Sequence, residues 1–349
     1  MTMNPFERLR GEMSGFRQVS ILAALAELDF GTVILENGNN LSAIELATLC
    51  SCDERGTVVL LDALSALSYL LKSETDGEAR YSVAEEYKPY LDSRHPSTFI
   101  PMMRHMACGQ RTWARLTWSV KDGKPQKHEP SILGEEQDRI SFIMGMHSIA
   151  ANLVDSVIRS LREARILPFD KQNPRILDIG GASGTYTEAF LKELPGSSAT
   201  IFDLPVGIAQ AKNRFAGSDM GARVSLVEGD FTETPLPSDF DFAWISAIIH
   251  QMNRDESRML YAKALDALNP GGLLAVRDFV MSEDRLSPIE GALFGINMFV
   301  NTQNGMVYTY KEIKEDLELA GFAHVTHAVD VPSMAAVVIA KKPDQRLDV

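Results

Sequence analysis

The sequence predicts an α/β chain in two parts, a mainly helical N-terminal region followed by a doubly wound sheet domain. Three observations predict it. The 349 residues exceed what a single hydrophobic core usually accommodates. From Arg175 onward, short runs of strand character alternate with segments of helical period, the pattern of a parallel sheet flanked by helices. Asp178-Ile-Gly-Gly-Ala-Ser-Gly184 then puts a glycine-rich turn where the first of these strands gives way to a helix. The expected division is residues 1–100, a helical oligomerisation domain; 101–168, a helical connector; and 169–349, the sheet domain.

Composition narrows the class. An apolar fraction of 45% and a charged fraction of 23% suit a globular chain. The longest apolar run, around Phe242 to Ile249, falls far short of the ~20 residues that span a bilayer. Met1 to Gly11 carries Glu7, Arg8 and Arg10 and no apolar stretch, so no secretory signal is expected. Cys50, Cys52 and Cys108 form no even set and no Cys/His cluster, which points to a reducing compartment and to no metal site. A net charge of −13 repels phosphate backbones. The expectation is a cytoplasmic protein with neither nucleic acid nor membrane as partner.

Along the first hundred residues, Val19, Leu22, Ala23, Ala26 and Phe30 recur at helical spacing, predicting a helix over Phe16 to Phe30. Turn formers fill Glu36 to Asn40. In Leu41 to Ala47, Ser42 and Glu45 have the spacing of a capping box. A second helix is expected over Asp53 to Leu71, and a hairpin over Lys72 to Val83 around Asp76-Gly77. Helix, turn, helix and hairpin in this order make a winged helix. Residues 41 to 72 carry only Arg55 and Lys72 as cations against Glu45, Asp53, Glu54 and Asp62, which favours oligomerisation over DNA reading.

Residues 98 to 165 continue helical, with Trp113, Trp118 and a long segment from Asp138 to Arg165, and Pro168 to Pro174 reads as a linker. Seven strands follow: Arg175–Ile179, Ala199–Asp203, Arg223–Val227, Asp241–Ser246, Leu273–Phe279, Val325–Val329 and Ala335–Ala340.

Two ligand classes use a glycine-rich turn of this kind. A pyrophosphate wants G-x-G-x-x-G; here Gly180 and Gly184 are present, but Ala182 takes the middle position, and Asp178 would repel the phosphates. A ligand with a cationic amine suits Asp178. Asp203, ending the next strand, suits ribose hydroxyls, and Asp230, ending the third, suits an adenine amino group. S-adenosylmethionine offers amine, sulfonium, ribose and adenine without phosphate. Its expected binding residues are Asp178, Gly180, Gly181, Gly184, Asp203, Leu204, Asp230, Phe231 and Ser246. The bland alternative is a tight turn that only packs a helix on a sheet.

His250 follows the apolar run Trp244 to Ile249 and precedes a capping signal, Asn253 to Glu256, which places its imidazole at the carboxyl edge of the sheet. With these pieces assembled, the chain resembles the small-molecule O-methyltransferases of the plant caffeate and bacterial polyketide-tailoring type, over about residues 15 to 341. The matching segments are Ile21–Leu28, Leu41–Ala47, Asp178–Gly184, Phe202–Pro205, Gly229–Phe231, Ile248–His250, Asn269–Gly272 and Ala320–Phe322. The resemblance implies a class I methyltransferase domain, Rossmann-like with seven strands, behind a winged-helix-like dimerisation domain. It also implies a homodimer, a small-molecule acceptor, and His250 as general base. Asp278 stands where the family has an orienting Glu, and Val307 where it has a second one. Gln251 and Met252 replace the family's Asp and Trp. By the same resemblance Phe142, Met146, Phe294, Asn297 and Met298 are expected to bind the acceptor. Methylation at sulfur, nitrogen or carbon, a hydroxylating or decarboxylating use of the same cofactor, and a ligand-sensing regulator remain as alternative readings.

Overall fold

The computed structural model describes residues 4–168 and 171–344. It opens with helices α1 (Pro5–Ser14), α2 (Phe16–Glu27) and α3 (Phe30–Glu36). A short strand, β1 (Leu41–Ser42), leads into α4 (Ala43–Cys50) and α5 (Glu54–Ala66), and the hairpin β2 (Leu70–Thr75) and β3 (Glu78–Val83) follows. Then come α6 (Lys88–Leu91), α7 (Ile100–Trp113), α8 (Leu116–Asp122) and α9 (Glu135–Glu163). The chain divides into two compact units, residues 1–111 with 128–148, and residues 112–127 with 149–349. Residues 101–168, expected as a connector, are therefore shared between the two.

In the first unit, β1, β3 and β2 form a three-stranded antiparallel sheet, and Leu25, Phe30, Ile34, Leu46, Leu61 and Tyr81 build a core around it. The Ser42–Glu45 capping box forms as expected, and Asp76 and Gly77 turn the hairpin with positive φ at both positions. Two helix boundaries differ from expectation. The helix expected over Phe16 to Phe30 stops at Glu27, because Asp29 turns left-handed (φ 54°) and its carboxylate accepts from Thr32 Oγ1 and Ser93 Oγ. The helix expected to reach Leu71 ends at Ala66: Ser68 is left-handed and Leu70 already pairs with Val83.

The second unit alternates strand and helix: β4 (Arg175–Ile179), α10 (Thr185–Glu193), β5 (Ser198–Asp203), α11 (Pro205–Phe215), β6 (Val224–Glu228), β7 (Phe240–Ser246), α12 (Arg254–Ala267) and β8 (Leu268–Arg277). After β9 (Val280–Met281), α13 (Ile289–Asn301), β10 (Tyr308–Thr309) and α14 (Tyr310–Leu319), the chain closes with β11 (Ala323–Val329) and β12 (Val337–Lys341). The seven-stranded sheet has the order β11-β12-β8-β7-β4-β5-β6. Its strands agree with the seven expected ones, apart from shifts at their ends. The five from β8 to β6 are parallel, whereas β12 runs antiparallel to both its neighbours, because the link from β11 is too short for a crossover helix. The expected linker, Pro168 to Pro174, lies partly outside the described residues.

Both sheet faces are covered. Phe242, Trp244 and Ala275 pack with Tyr186, Phe190 and Leu161 on one side, and Ile179, Phe202, Ile245 and Val276 pack with Tyr261, Leu260 and Leu317 on the other. Strand polarity thus sends the carboxyl ends of β6, β5, β4, β7 and β8 to one edge, where open α/β sheets bind ligands.

The turn that starts α10 depends on a glycine. Gly184 has φ +78°, and a Cβ there would stand 2.6 Å from Phe215 Cε2 and 2.8 Å from Ile201 Cδ1. Gly184→Ala is expected to lower the unfolding free energy by about 1–3 kcal/mol through backbone strain and overpacking. A urea midpoint equal to that of the parent would contradict this.

Candidate active site

Asp203, at the end of β5, anchors the glycine-rich turn that β4 feeds. Its Oδ2 accepts from Ala182 N at 2.7 Å and its Oδ1 from Leu204 N at 2.7 Å. Gly180 N donates to Phe202 O at 2.8 Å, tying the same turn to the next strand. Burial raises the Asp203 pKa, and the two backbone N–H groups oppose the rise. A carboxylate offers about four acceptor sites, so two remain for a ligand's hydroxyls. Gly180 and Gly181 are half-buried beside it, and Leu204 is exposed.

Asp178 lies deeper than Asp203. It is 2% exposed, accepts from Thr187 Oγ1 at 2.6 Å, and lies so close beneath Gly181 that a Cβ there would stand 2.7 Å from its carboxylate. Its carboxyl is pushed up to about 7, mainly by burial, with Thr187 opposing and Asp203 adding to the rise. The turn is thus propped from below by Asp178, whereas Asp203 holds it at the open edge. Asp230, beyond β6, accepts from Thr232 Oγ1 and N at 2.6 and 2.8 Å, and these bonds lower its pKa. Phe231 beside it is half-buried. These donors and acceptors suit a nucleoside with free hydroxyls and an amino group.

His250 sits in a short 3-10 turn, Ile249–Gln251, just past β7. Its Nδ1 lies 2.9 Å from both carboxylate oxygens of Asp278, which follows β8. Both residues are buried. Phe279 N also donates to Asp278 Oδ1, at 2.8 Å, fixing the carboxylate. Where that carboxylate is ionised it can only accept, so Nδ1 is then the donor of the pair, and a neutral ring carries its lone pair on Nε2. Phe294, on α13, meets the imidazole edge-on at 4.7 Å between centroids. The family's second acid position, Val307, is buried in an apolar cluster with Phe279 and Met281. Among the described residues Asp278 is therefore the acid bonded to His250.

The acceptor candidates fall in both units. In the first, Phe142 is exposed and packs against His105 with centroids 5.0 Å apart, and Met146 is half-buried. In the second, α13 carries Phe294, Asn297 and Met298, with Met298 turned to the buried side. Asn297 Oδ1 accepts from Trp113 Nε1 at 2.9 Å and Asn301 Nδ2 at 3.0 Å, which fixes the amide, and its NH₂ makes no hydrogen bond among the described residues. A hollow of about 610 Å³ is lined by Phe279, Pro288, Ile289 and Met334.

Four contributors escaped the sequence reading: Thr187, Trp113, Asn301 and Arg277. Arg277 alone leaves a signal, a cation inside the otherwise apolar run Leu273 to Val276 that ends next to Asp278. Ser246, expected to bind cofactor, accepts from Arg277 Nε at 2.7 Å, which leaves its own O–H to donate.

A family model for an O-methyltransferase domain matches residues 113–323, and one for an O-methyltransferase dimerisation domain matches residues 12–91. The chain is 30% identical over 291 residues to a 3-hydroxy-5-methyl-1-naphthoate 3-O-methyltransferase of Streptomyces sahachiroi, covering 81% of this chain and 80% of that one. It is 28% identical to an acetylserotonin O-methyltransferase of Gallus gallus, covering 89% and 90%. Among solved structures, human N-acetylserotonin methyltransferase in complex with SAM superposes with a TM-score of 0.79 at 23% identity, covering 98% of this chain and 99% of that one.

The raised Asp178 pKa carries a sign for stability. A carboxyl that titrates near 7 when folded and near its ordinary 3.8 when unfolded favours the fold while protonated. That contribution is complete below pH 4 and is lost as pH rises through 7. The melting temperature of Asp178→Asn relative to the parent should therefore rise between pH 5 and pH 8. A difference that stays constant across that range would contradict the buried, protonated carboxyl.

Proposed function

The chain belongs to the O-methyltransferase family, and from that premise we propose that it transfers a methyl group from S-adenosylmethionine to a hydroxyl oxygen of a small-molecule acceptor, with His250 as general base. The observation that carries this reading is the buried His250–Asp278 pair at the carboxyl edge of the sheet, with Nδ1 2.9 Å from each carboxylate oxygen.

When bound, S-adenosylmethionine supplies an electrophilic methyl group on a sulfonium centre. Asp203 would hold its ribose with the acceptor sites left over from the turn, and Asp230 and Phe231 would meet the adenine. Gly180, Gly181 and Gly184 would let the ligand approach backbone closely. Asp178 acts from beneath as a positioning residue. Asp278 keeps the imidazole in the Nδ1–H form, so Nε2 takes the acceptor's hydroxyl proton, a contribution of about 10²–10⁴ in rate. Phe294 restricts the imidazole from its edge, and the remaining acceleration comes from alignment of the reacting groups. Phe142, Met146, Phe294, Asn297 and Met298 are the proposed acceptor contacts.

The working form in this reading is a cytoplasmic homodimer, with residues 1–100 as a winged-helix-like dimerisation domain, 101–168 as a connector and 169–349 as the cofactor domain. The match to a dimerisation-domain model supports it. So do Phe6, Leu9, Met13 and Phe16, which recur every three to four residues and stay exposed on α1 and the start of α2. Among the described residues no disulfide joins Cys50, Cys52 or Cys108, which suits a reducing compartment.

His250→Ala should lower turnover of a hydroxyl acceptor by about two to four decades while cofactor affinity stays near the parent's; a loss under threefold at neutral pH removes His250 as the base. Asp203→Ala should weaken S-adenosylmethionine binding by ~1.5–3 kcal/mol. Equal affinities by calorimetry would contradict the ribose assignment.

A further inference from the structure

Arg277 ends β8 at the same sheet edge and is 5% exposed. Its Nε donates to Ser246 Oγ at 2.7 Å and its Nη1 to Met334 O at 2.9 Å, both neutral acceptors. Its guanidinium lies over the Tyr186 ring, 5.1 Å from the centroid. Among the described residues no carboxylate forms an ion pair with it. A buried guanidinium without a counter-charge is costly, and native proteins seldom leave one so. The head is nonetheless held rigidly from two sides and from below, with Nη2 the nitrogen that makes no hydrogen bond among the described residues.

The register shows where this cation faces. Ser246 pairs with Arg277, Trp244 with Ala275, and Asp178 with Trp244. Side chains alternate along a strand, so Asp178, Trp244, Ser246 and Arg277 share the sheet face that α10 covers. Tyr186, on α10, stacks between Trp244 and Arg277, and its hydroxyl is buried without a partner among the described residues. Asp178 is two strands away and already bonded to Thr187. The strand order runs β6, β5, β4, β7, β8, and the nucleoside residues Asp230 and Asp203 lie at the β6 and β5 ends. Three strand spacings separate β5 from β8, about 14 Å. With the nucleoside placed as proposed above, an amino-acid tail that left the ribose toward β8 along this edge would meet Ser246 and Arg277.

We propose that Arg277 recognises a ligand carboxylate at this edge, its place in the strand order matching the α-carboxylate at the amino-acid end of the cofactor. A carboxylated acceptor is the other source of the same chemistry. The inference rests on the methyltransferase reading above.

The test titrates the full-length parent, Arg277→Gln and Arg277→Lys by calorimetry with S-adenosylhomocysteine and with 5′-methylthioadenosine, which keeps the nucleoside and sulfur but lacks the amino-acid end. The expected result is an S-adenosylhomocysteine affinity lowered about 10–100-fold in Arg277→Gln, as for loss of a charge-assisted contact. Binding of 5′-methylthioadenosine should stay within about twofold, and Arg277→Lys should recover part of the difference. Comparing two ligands on one variant keeps the result independent of any loss of folded protein. If S-adenosylhomocysteine binding is unchanged but KM rises about tenfold for a carboxylated phenol and not for its methyl ester, Arg277 still reads a carboxylate, and the acceptor supplies it. Equal weakening of both nucleosides, or no change in either nucleoside or in the carboxylated acceptor, overturns the proposal. A parent protein that binds neither nucleoside overturns the methyltransferase reading and this inference with it.

Discussion

The Asp203 carboxylate, closed on the backbone of Ala182, is the contact on which the site depends. Parallel pairing of β4 with β5 brings Asp203 level with the glycine-rich turn, and the N–H bond it accepts from Ala182 holds a loop in which Gly180, Ala182 and Gly184 all have positive φ, while Leu204 N fixes its other oxygen. A loop with that backbone needs such an anchor, since Ala182 gains nothing from glycine's freedom. The same carboxylate keeps acceptor capacity facing the open edge. One residue therefore both builds the turn and offers it to a ligand.

The strand edge separates two sets of buried polar groups onto opposite faces. On one, His250 and Asp278 form a closed pair whose geometry fixes a tautomer. On the other, beneath α10, are Asp178, Arg277 and Tyr186, whose hydroxyl pKa is raised by burial, an effect that Arg277 opposes and Asp178 reinforces. Alternation along β8 is enough to produce this arrangement, because Arg277 and Asp278 are neighbours in sequence and point to opposite sides. In the proposed reading, orientation of the base and recognition of a ligand carboxylate fall to adjacent residues on opposite faces.

Much of the fold was legible because its signals are local. The seven sheet strands, the Ser42–Glu45 and Asn253–Glu256 capping boxes and the Asp76-Gly77 hairpin each rest on a few adjacent residues. The break at Asp29 was not legible, since it depends on Ser93, which is 64 residues away. Asp178 and Asp203 look alike in sequence, each ending an apolar strand, yet one is buried beneath the turn and the other anchors it from the edge. Which one is covered is decided by where Thr187 and Gly181 fall in three dimensions. His250 and Asp278 were paired through family resemblance, and the structure supplies the 2.9 Å geometry that composition could not. Arg277 could have been flagged from its position beside an apolar run, but that no described carboxylate pairs with it is visible only in three dimensions.

The most direct measurement is a crystal structure of the protein with S-adenosylhomocysteine. The account predicts ribose hydroxyls on the Asp203 carboxylate with the Ala182 N–H bond intact, adenine beside Asp230 and Phe231, and sulfur on the side of the sheet edge that His250 faces. A nucleoside bound elsewhere, or an Asp203 carboxylate that touches only the turn, would contradict it.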